Sequence, residues 1–415
     1  MARSHISTQC CIAGGGPAGM MVGYLLARAG VDVVVLEKHA DFLRDFRGDT
    51  VHPSTLQIMH ELRLLEDFLK EPHQKVDHLT AVLGDRSITM VDFSRLSVPA
   101  PYIAFMPQWD FLDFLSDKAQ AYRGFTLKMR AEVTGLTQSD GRVTGVTAST
   151  PDGDLEVTAD LIIGADGRGS RVRDIADLKV TDHGAPIDVL WFGIPRHASD
   201  TDETQANFQA GQVLIMLNRG DYWQCAFVIP KGSFANVKHA GLAAFRDRLR
   251  QHAPFIGDRV DEISEWDKVK LLTVTVDHLE TWHREGLVCI GDAAHAMSPV
   301  GGVGINLAIQ DAVAAANILA PEFVARQRPK ADTLARIAKR RLWPVRMIQR
   351  FQILLHKQVI YRTLEGKGEF KAPLFLRLVT SVPLFRRLMG CIIGMGFRVE
   401  HVDPMIVKPE FAKPA

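Results

Sequence analysis

Three things that this sequence lacks narrow its class. It has five cysteines and no C-x-x-C pair, which argues against a disulfide-rich scaffold or a dithiol redox enzyme. It has no large positive excess, since 49 Lys and Arg residues stand against 48 Asp and Glu, so nucleic acid is not expected as a partner. It has no run of eighteen uncharged apolar residues and no charged-then-apolar leader. These absences predict a cytoplasmic globular protein with reduced, buried cysteines.

The length of 415 residues exceeds one typical core and predicts two domains, with a further segment at the C-terminus. Hydrophobic residues make up 47% of the chain, which is enough to bury cores of that size. No spacing of Cys, His, Asp and Glu suggests a metal site.

The N-terminal region carries a glycine pattern between a strand and a helix. An apolar strand runs into G-x-G-x-x-G, formed by Gly14, Gly16 and Gly19, and a helix follows. A second apolar strand from Val31 ends in Glu37, eighteen residues after the last glycine. The glycines permit a tight turn, close approach of a pyrophosphate and helix packing, and the acid can accept from an adenosine ribose. This context predicts dinucleotide binding.

A second pattern lies between Leu287 and Asp311. A short apolar strand is closed by Gly291-Asp292, and after Pro299 the glycine-rich turn 301–304 leads into a helix from about Asn306. The free N–H groups at a helix start favour negative charge. The carboxylate of Asp292 can accept hydrogen bonds from the hydroxyls of a sugar-alcohol chain. The pattern therefore predicts a second part of the cofactor site.

A third pattern places a buried strand, 159–164, before Asp166, Gly167 and a polar turn to Arg173. With the other two, in this order, it resembles the fingerprints of the single-component (class A) FAD-dependent aromatic hydroxylases of the p-hydroxybenzoate hydroxylase type. The resemblance covers the glycine pattern, the Asp-Gly motif and the run GD-AAH-x3-P-x-GG-x-G-x-N-x4-D.

The resemblance implies an α/β fold in which a Rossmann-like FAD-binding domain is interleaved with a smaller antiparallel-sheet substrate domain, followed by C-terminal helices. The expected limits are 1–75, 106–177 and 280–330 for the FAD-binding domain, 76–105 and 178–279 for the substrate domain, and 331–415 for the C-terminal region. Non-covalent FAD would be reduced by NADPH or NADH as a transient co-substrate. A flavin C4a-hydroperoxide would then transfer oxygen from O2 to an aromatic or similarly activated ring, and the partner would be a small aromatic or hydrophobic ring substrate.

The resemblance also assigns roles. An arginine at Arg47, with Arg44 as a rival, would reach the FAD pyrophosphate, and Gln108 would contact the ribityl chain. Asp166 and Gly167 would serve the pyrophosphate region and the turn that receives the nicotinamide nucleotide. Pro299, Gly301 and Gly302 would lie closest to the flavin ring, and no general base is assigned. The other positions expected at the cofactor are Gly14, Gly16, Ala18, Gly19, Glu37, Lys38, Gly291, Asp292, Gly304, Ile305 and Asn306. His52 could face the flavin but is more simply explained as a structural residue at a helix start.

Short strands fill the predicted substrate domain. A turn at Gly84-Asp85 separates two of them, the region 178–279 repeats the pattern, and a hairpin from Val213 to Val228 turns at 218–221. Aromatic residues and one amide on these strands could cover the flavin ring, with substrate contacts expected from Trp191, Tyr222 and Gln224. Strand alternation sends only half of such residues inward, so each can equally be core.

The C-terminal region contains helical patterns from Leu334 and from about Leu374. The segment 334–362 has eight Lys or Arg and no Asp or Glu. Such a basic amphipathic helix could lie on a membrane surface, or pack its apolar side on the flavin domain with its charges in water. Packing is favoured.

Two other functions stay open at this point. The same scaffold could serve an FAD-dependent reductase or dehydrogenase of a lipid or quinone-like substrate without oxygen insertion. A non-catalytic flavin-binding protein is the third alternative.

Overall fold

The computed structural model describes residues 4–43, 50–83, 86–201, 203–209, 211–360, 363–364 and 382–407. Its strands are β1 (Ser4–Ala13), β2 (Val33–Leu36), β3 (Thr50–Val51), β4 (Gln74–Val76), β5 (His78–Leu83), β6 (Arg86–Asp92), β7 (Ile103–Phe105), β8 (Phe125–Lys128), β9 (Glu132–Ser139), β10 (Arg142–Thr150), β11 (Gly153–Gly164), β12 (Val180–Asp182), β13 (Ile187–Pro195), β14 (Gln205–Gln209), β15 (Gln212–Asn218), β16 (Tyr222–Pro230), β17 (Lys270–Leu272), β18 (Asp277–Leu279), β19 (His283–Arg284) and β20 (Leu287–Cys289).

Its α-helices are α1 (Pro17–Arg28), α2 (Pro53–Glu61), α3 (Leu65–Phe68), α4 (Gln108–Gln120), α5 (Arg171–Ile175), α6 (Phe234–Ala240), α7 (Leu242–His252), α8 (Gly304–Val324), α9 (Ala331–Leu355), α10 (Pro383–Gly394) and α11 (Pro404–Val407). A π-helical turn, His356–Ile360, continues α9.

A parallel sheet forms the first layer of the molecule. Its strands lie in the order β19-β20-β11-β1-β2-β8, and the hairpin β9–β10 pairs with β11. Strands β20, β11, β1, β2 and β8 run parallel. All four residues of β2 are buried, and each buried Val or Leu contributes about 1.5–3 kcal/mol. Helices α1 and α8 pack together on this layer, which confirms the predicted α/β fold with a Rossmann-like core.

A seven-stranded sheet forms the second layer, in the order β17-β13-β16-β15-β14-β5-β6. It is antiparallel except where β14 runs parallel to β5. The predicted hairpin is present as β15 and β16, paired from Val213↔Val228 to Asn218↔Trp223. Two separate stretches of chain build this sheet, as the interleaved arrangement requires, whereas the exact domain limits stay a prediction.

The sequence pattern predicted strands throughout the region 178–279, but the structure also has helices there. Helices α6 and α7 and a 3-10 segment, Pro254–Glu262, lie between β16 and β17. The apolar residues of α7 are buried at helical spacing, namely Leu249 and Phe245, which pack on the sheet together with the partly buried Leu242. The helical period was therefore in the sequence but was hidden among the strand signals.

Element ends also differ from expectation. Strand β2 begins at Val33 rather than Val31, because the Val31 N–H donates to Leu26 O and closes the preceding helix. Helix α8 begins at Gly304, earlier than Asn306, and continues through Pro321 to Val324. Burial of α8 among apolar neighbours outweighs the hydrogen bond that proline removes.

Helix α9 packs one side on α8 and buries Leu334, Ile337, Val345 and Ile348. The packing hypothesis assumed that all charges of this helix lie in water. Arg341 is an exception, because it is fully buried. Trp343 remains 54% exposed, and membrane contact through 334–362 stays a prediction.

Within the described ranges, one helical stretch, Val300–Val324, is long and apolar enough to cross a bilayer, and 78% of its most apolar part is buried inside the fold. Four sequence predictions concern Arg44, Arg47, the turn Gly84-Asp85 and the helix start near Leu374. These positions lie outside the described residues.

Candidate active site

A cavity of about 1050 Å³ opens at the carboxyl ends of β1, β11 and β20. The loops that follow these strands carry the three sequence patterns, so Gly14, Asp166 and Asp292 line the same space. Ligands of α/β proteins bind at this end of a parallel sheet. The cavity continues over one face of the seven-stranded sheet and lies at the upper end of the roughly 300–1,000 Å³ common for ligand sites.

The glycine loop after β1 leaves open space in front of α1. Gly14 has a φ of +105°, and a Cβ there would lie 2.4 Å from Ala165 O, so only glycine fits. A Cβ at Gly19 would lie 1.9 Å from Gly14 O, so a glycine at this position lets α1 lie directly on the loop. A Cβ at Gly16 would meet no protein atom within 4 Å. No acidic residue lies in the first turn of α1, so this helix start suits a phosphate, and the loop fits the pyrophosphate of FAD.

Glu37 stands at the end of β2 and is 7% exposed. Its carboxylate accepts from Gly15 N at 2.9 Å and from His39 N at 3.0 Å, and it also contacts the His39 ring. Burial acts to raise the pKa of Glu37, but these hydrogen bonds outweigh it and the pKa is lowered. The residue is thus an ionised acceptor on the cavity wall, which is what a ribose hydroxyl requires.

An ion pair that sequence analysis missed joins the loops after β11 and β20. Arg168 Nε donates to Asp292 Oδ2 at 3.0 Å, and the two side chains are 33% and 32% exposed. Asp166 turns towards its own loop, where it accepts from Ser170 Oγ and from Val172 N. Asp292 therefore offers a carboxylate at the cavity wall, whereas Asp166 shapes the turn beside it.

The glycine-rich turn after Pro299 forms a further part of the cavity wall. Gly301 and Gly302 have φ values of +82° and +63°, conformations that favour glycine. A Cβ at Gly302 would lie 2.6 Å from Thr50 Oγ1, and that hydroxyl donates to Gly302 O at 2.8 Å. Helix α8 then begins at Gly304 without a side-chain cap or an acidic residue in its first turn. Its N–H groups can stabilise negative charge in the cavity by about 0.3–1 kcal/mol each.

Strand alternation decides which residues of the seven-stranded sheet face the cavity. On β16, Gln224, Ala226 and Val228 line it, while the intervening residues pack against α7 in a separate core. Trp191 on β13 also lines the cavity, and its neighbour Phe192 faces the helices. Half of the aromatic residues that could have covered a flavin are therefore core, as the alternation argument allowed.

Charge is segregated within the cavity. The ionisable residues among its described lining residues all belong to the nucleotide end, and they are Glu37, Lys38, His39, Glu132, Asp166, Arg168, Arg171, Asp174 and Asp292. The wall made by the seven-stranded sheet and by the C-terminal helices is apolar apart from a few neutral groups such as Thr80, Thr204, Gln224 and Gln352. Gln224 accepts from Arg219 Nε at 2.9 Å. Described residues on this wall provide no acid or base.

Most of the residues predicted from the sequence meet at this cavity. Those that line it are Gly14, Gly16, Ala18, Glu37, Lys38, Gln108, Asp166, Gly167, Trp191, Gln224, Asp292, Pro299, Gly301, Gly302, Gly304 and Ile305. Those that do not line it are Gly19, Gly291, Asn306 and Tyr222. The first two support the loops from behind.

The side chain of Asn306 is used within the protein. Its Oδ1 accepts from His52 N at 3.0 Å and from Thr55 Oγ1 at 2.7 Å, which ties α8 to α2. His52 is fully buried and its Nδ1 lies 2.8 Å from Ile393 O, so the structural explanation of this histidine is supported. Tyr222 lies on the cavity-facing side of β16 but at its end, beyond the lining residues.

The C-terminal helices contribute lining residues that sequence reasoning missed. Phe351, Gln352 and Leu355 come from α9, and Met389, Ile392 and Ile393 come from α10. A Cβ at Gly390 would lie 2.3 Å from Asp92 O, so this glycine lets α10 lie directly on β6. The apolar pattern of both helices was visible, but nothing in it distinguished a cavity wall from ordinary packing.

Comparison with known proteins agrees with this geometry. A family model described as FAD binding domain matches residues 7–347. The chain is 31% identical over 396 residues to the 6-methylpretetramide 4-monooxygenase of Streptomyces rimosus, covering 92% of this chain and 91% of that protein. It is 28% identical over 306 residues to the rifampicin monooxygenase of Streptomyces venezuelae, of which it spans 61%. The solved structure of OxyS anhydrotetracycline hydroxylase from Streptomyces rimosus superposes with a TM-score of 0.73 at 22% identity, covering 94% of this chain and 76% of that one.

Proposed function

Because this chain belongs to the FAD binding domain family and is an FAD-dependent aromatic monooxygenase that uses NAD(P)H and O2, we propose that its substrate is a large, uncharged, polycyclic aromatic compound. The observation that carries this proposal is the charge segregation of the cavity. Its substrate end offers a broad apolar wall without an ionisable group among the described lining residues. An acidic substrate would leave a buried charge unpaired there, at a cost of several kcal/mol.

The extent of the cavity supports the same class of substrate. Its volume of about 1050 Å³ must hold FAD and the substrate together, and its lining runs from the glycine loop at Gly14 to the seven-stranded sheet and the C-terminal helices. The relative with 31% identity is named for a 4-monooxygenation of 6-methylpretetramide, and a second relative is named for the monooxygenation of rifampicin.

We assign the cofactor contacts as follows. The loop at Gly14 and Gly16 and the start of α1 bind the FAD pyrophosphate, Glu37 binds the ribose, and Asp292 binds the ribityl chain. The start of α8 would hold the flavin ring, where its free N–H groups would stabilise negative charge. Bound FAD, once reduced by NAD(P)H, supplies the activation of dioxygen from which one oxygen atom passes to the ring.

The chain's own residues then orient the substrate and exclude water. The apolar faces of β13, β15 and β16 and the side chains of α9 and α10 keep the space beside Pro299 dry. Since the described lining residues provide no base here, the electron-rich character of the substrate ring itself must support oxygen transfer.

The remaining assignments rest on the same reasoning. We propose the domain limits given by the sequence, because the seven-stranded sheet draws β5 and β6 from one excursion and β13 to β17 from the other. We also propose a cytoplasmic location, since all five cysteines are free.

The test uses the purified yellow holoenzyme with a panel of hydroxylated polycyclic aromatics. p-Hydroxybenzoate serves as the small acidic comparison. A quinone serves as the comparison that a reductase would turn over without inserting oxygen. A true substrate should speed anaerobic flavin reduction by NAD(P)H at least about tenfold in stopped flow, a barrier change of roughly 1.4 kcal/mol. Under ¹⁸O2 it should gain one labelled oxygen with little peroxide. Asp166→Ala should slow reduction with and without substrate, because the turn that receives the nucleotide loses its support.

Two results would overturn the proposal. Preferential hydroxylation of p-hydroxybenzoate would show that the apolar wall does not select the substrate. Anaerobic turnover of the quinone without label incorporation would favour the reductase alternative.

A further inference from the structure

The outer side of helix α9 forms a continuous basic stripe. At about 3.6 residues per turn, six exposed positions fall within about 80° of the helix circumference and extend over about 27 Å of its length. Buried residues such as Ile337 and Ile348 lie on the opposite side. The six exposed residues, which we call the basic stripe, are Arg336, Lys339, Trp343, Arg346, Arg350 and Leu354.

The positive charge of the basic stripe is not neutralised by the described part of the chain. Asp332 is the only acidic residue of α9, and it lies in the first turn, before the stripe begins. The cations of the stripe form no ion pair with a described residue, whereas Arg340, on another side of the helix, pairs with Glu400. Arg346 donates to the His278 ring at 3.3 Å, and burial and this arginine lower the pKa of His278 to about 4. Arg346 therefore contacts a neutral ring and keeps its charge uncompensated.

Helix α7 shows how the chain treats basic residues on another surface helix. Arg246 and Arg250 both pair with Asp261, and Arg250 also pairs with Asp247 on its own helix. On α7 the cations are thus compensated within the fold, whereas on α9 they are presented to the outside.

Two large apolar side chains lie among the cations of the stripe. Trp343 and Leu354 are 54% and 51% exposed, and Phe397 contacts the edge of the Trp343 ring at 6.0 Å between ring centres. Tryptophan and leucine among Lys and Arg are typical of helices that lie in a membrane interface, where the apolar side chains reach below the headgroups. An acidic protein surface would satisfy the cations without requiring these two side chains. The pattern therefore favours an anionic membrane as the partner.

Helix α9 itself separates the stripe from the substrate end of the cavity. Phe351 and Leu355 line the cavity, and each follows directly after an exposed residue of the stripe. Helix α10 repeats this arrangement, because its Met389 lines the cavity while the preceding Leu388 is 50% exposed. A surface bound by the stripe would thus lie one helix away from the apolar end of the cavity.

We propose that the basic stripe docks the enzyme on an anionic membrane surface, with α9 parallel to that surface and with Trp343 and Leu354 entering the headgroup layer. The purpose of this contact rests on the proposed function, because a large, uncharged polycyclic aromatic compound partitions into a bilayer. Docking through the stripe places the apolar end of the cavity beside that reservoir. The ligand is a fluid anionic lipid surface rather than one particular headgroup.

The experiment measures binding of the FAD-loaded enzyme to sucrose-loaded vesicles by sedimentation. Vesicles of phosphatidylglycerol and phosphatidylcholine in equal amounts are compared with vesicles of phosphatidylcholine alone. The wild type should bind the anionic vesicles at least about tenfold more tightly. The double variant Lys339→Glu/Arg350→Glu should lose at least about tenfold of that affinity. Arg123→Glu/Arg248→Glu is the matched control, because it makes the same charge change at exposed positions outside the stripe, and it should lose less than about threefold.

Trp343 distinguishes insertion into a membrane from attraction between charges alone. Trp343→Ser should weaken binding to the anionic vesicles at least about threefold. The fluorescence of Trp343, taken as the difference between the wild type and Trp343→Phe, should shift to the blue when these vesicles are added. Both variants should keep the flavin content of the wild type, because more than half of the Trp343 side chain is exposed.

Three results would overturn the proposal. The first is a wild type without preference for the anionic vesicles, and the second is an equal loss of binding in the two double variants. The third is unchanged binding of Trp343→Ser, which would mean that the stripe attracts any polyanion, as an acidic protein surface would. The assay involves neither a substrate nor turnover, so its failure is distinguishable from a failure of the proposed function.

Discussion

Replacing Arg341 with methionine should destabilise the fold and also the loop that carries Gly291 and Asp292. Arg341 is fully buried on α9, and its Nε donates to Asp311 Oδ1 at 2.8 Å while Nη1 donates to Glu400 Oε1 at 3.3 Å. Asp311 Oδ2 in turn accepts from Gly291 N at 3.1 Å and contacts His295. The arginine therefore supports, through one carboxylate, the residue that precedes Asp292.

The magnitude follows from the two carboxylates that the substitution leaves behind. Asp311 and Glu400 are both fully buried, and removing one partner of a buried ion pair costs about 3–5 kcal/mol. Glu400 keeps its contacts to the partly exposed Arg340, so most of the loss should come from Asp311. We expect the free energy of unfolding at pH 7.5 to fall by about that amount, and FAD affinity to fall with it.

The pH dependence gives the prediction a sign. Burial acts to raise the pKa of Asp311, but His295 and Arg341 outweigh it, and the pKa lies below its ordinary value. A depressed pKa stabilises the fold above the unfolded value, near 3.9, and that stabilisation is lost as the pH falls through the folded value. Without Arg341, one of the two groups that lower the pKa of Asp311 is gone, so burial raises this pKa above its wild-type value. The stability gap between wild type and variant should therefore narrow from pH 7.5 to pH 5.

Urea denaturation of both proteins at the two pH values, with FAD titration of the apoproteins, measures these effects. Arg336→Met, an exposed arginine on the same helix, is the control and should change stability by less than about 0.5 kcal/mol. Adding Asp311→Asn to Arg341→Met should cost less than the sum of the single changes, because the stranded charge is removed. A variant within 1 kcal/mol of wild type, with the same pH profile, would refute the reasoning.

Two further predictions concern FAD directly. Gly16→Val should give a folded but colourless protein, since its side chain would enter the open space in front of α1; a normal flavin content beside an unchanged circular dichroism spectrum would contradict this. Asp292→Ala should weaken FAD binding about ten- to a hundredfold, because it removes a charge-assisted hydrogen bond of roughly 1.5–3 kcal/mol. Asp152→Ala, at an exposed position, should leave the FAD affinity unchanged. Equal FAD affinities of wild type and Asp292→Ala in a fluorescence titration would show that the ribityl chain does not reach this carboxylate.

The nucleotide half of the site could be predicted from the sequence because its demands fall on backbone conformation. Gly14 must adopt positive φ, Gly19 must let a helix touch a loop, and Gly302 must accommodate Thr50. Requirements of this kind select glycine and leave a pattern with fixed spacing. Asp292 was recognisable for a different reason, since it follows the buried strand β20 and Gly291 within three residues.

The other half could not be predicted because its members are far apart in the chain. Arg168 reaches Asp292 across 124 residues, and His356 reaches Ser298 across 58. Because side chains alternate between the two faces of a strand, only every second aromatic residue could face the cavity. The alternation alone does not say which face of the sheet is covered by helices. Trp191 and Trp223 are equally apolar, and the second is core because it lies on the sheet face that α7 and the segment Pro254–Glu262 cover.

Helix α9 shows why the C-terminal region is part of the flavin site. Three residues on one side of it reach the loop from 291 to 300, since Arg341 acts through Asp311, Gln349 donates to Ala296 O at 3.1 Å, and Gln352 binds the backbone on both sides of Pro299. Arg341 and Gln352 are eleven residues apart, which is about three turns or roughly 16 Å along the helix. The match to the family model ends at residue 347, between them. The support of the cofactor end of the loop therefore lies within the matched range, whereas the support of its substrate end, with His356, lies beyond it. Substrate contacts should accordingly depend on the second half of α9 and on α10 as well as on the strands β13, β15 and β16, which line the same space.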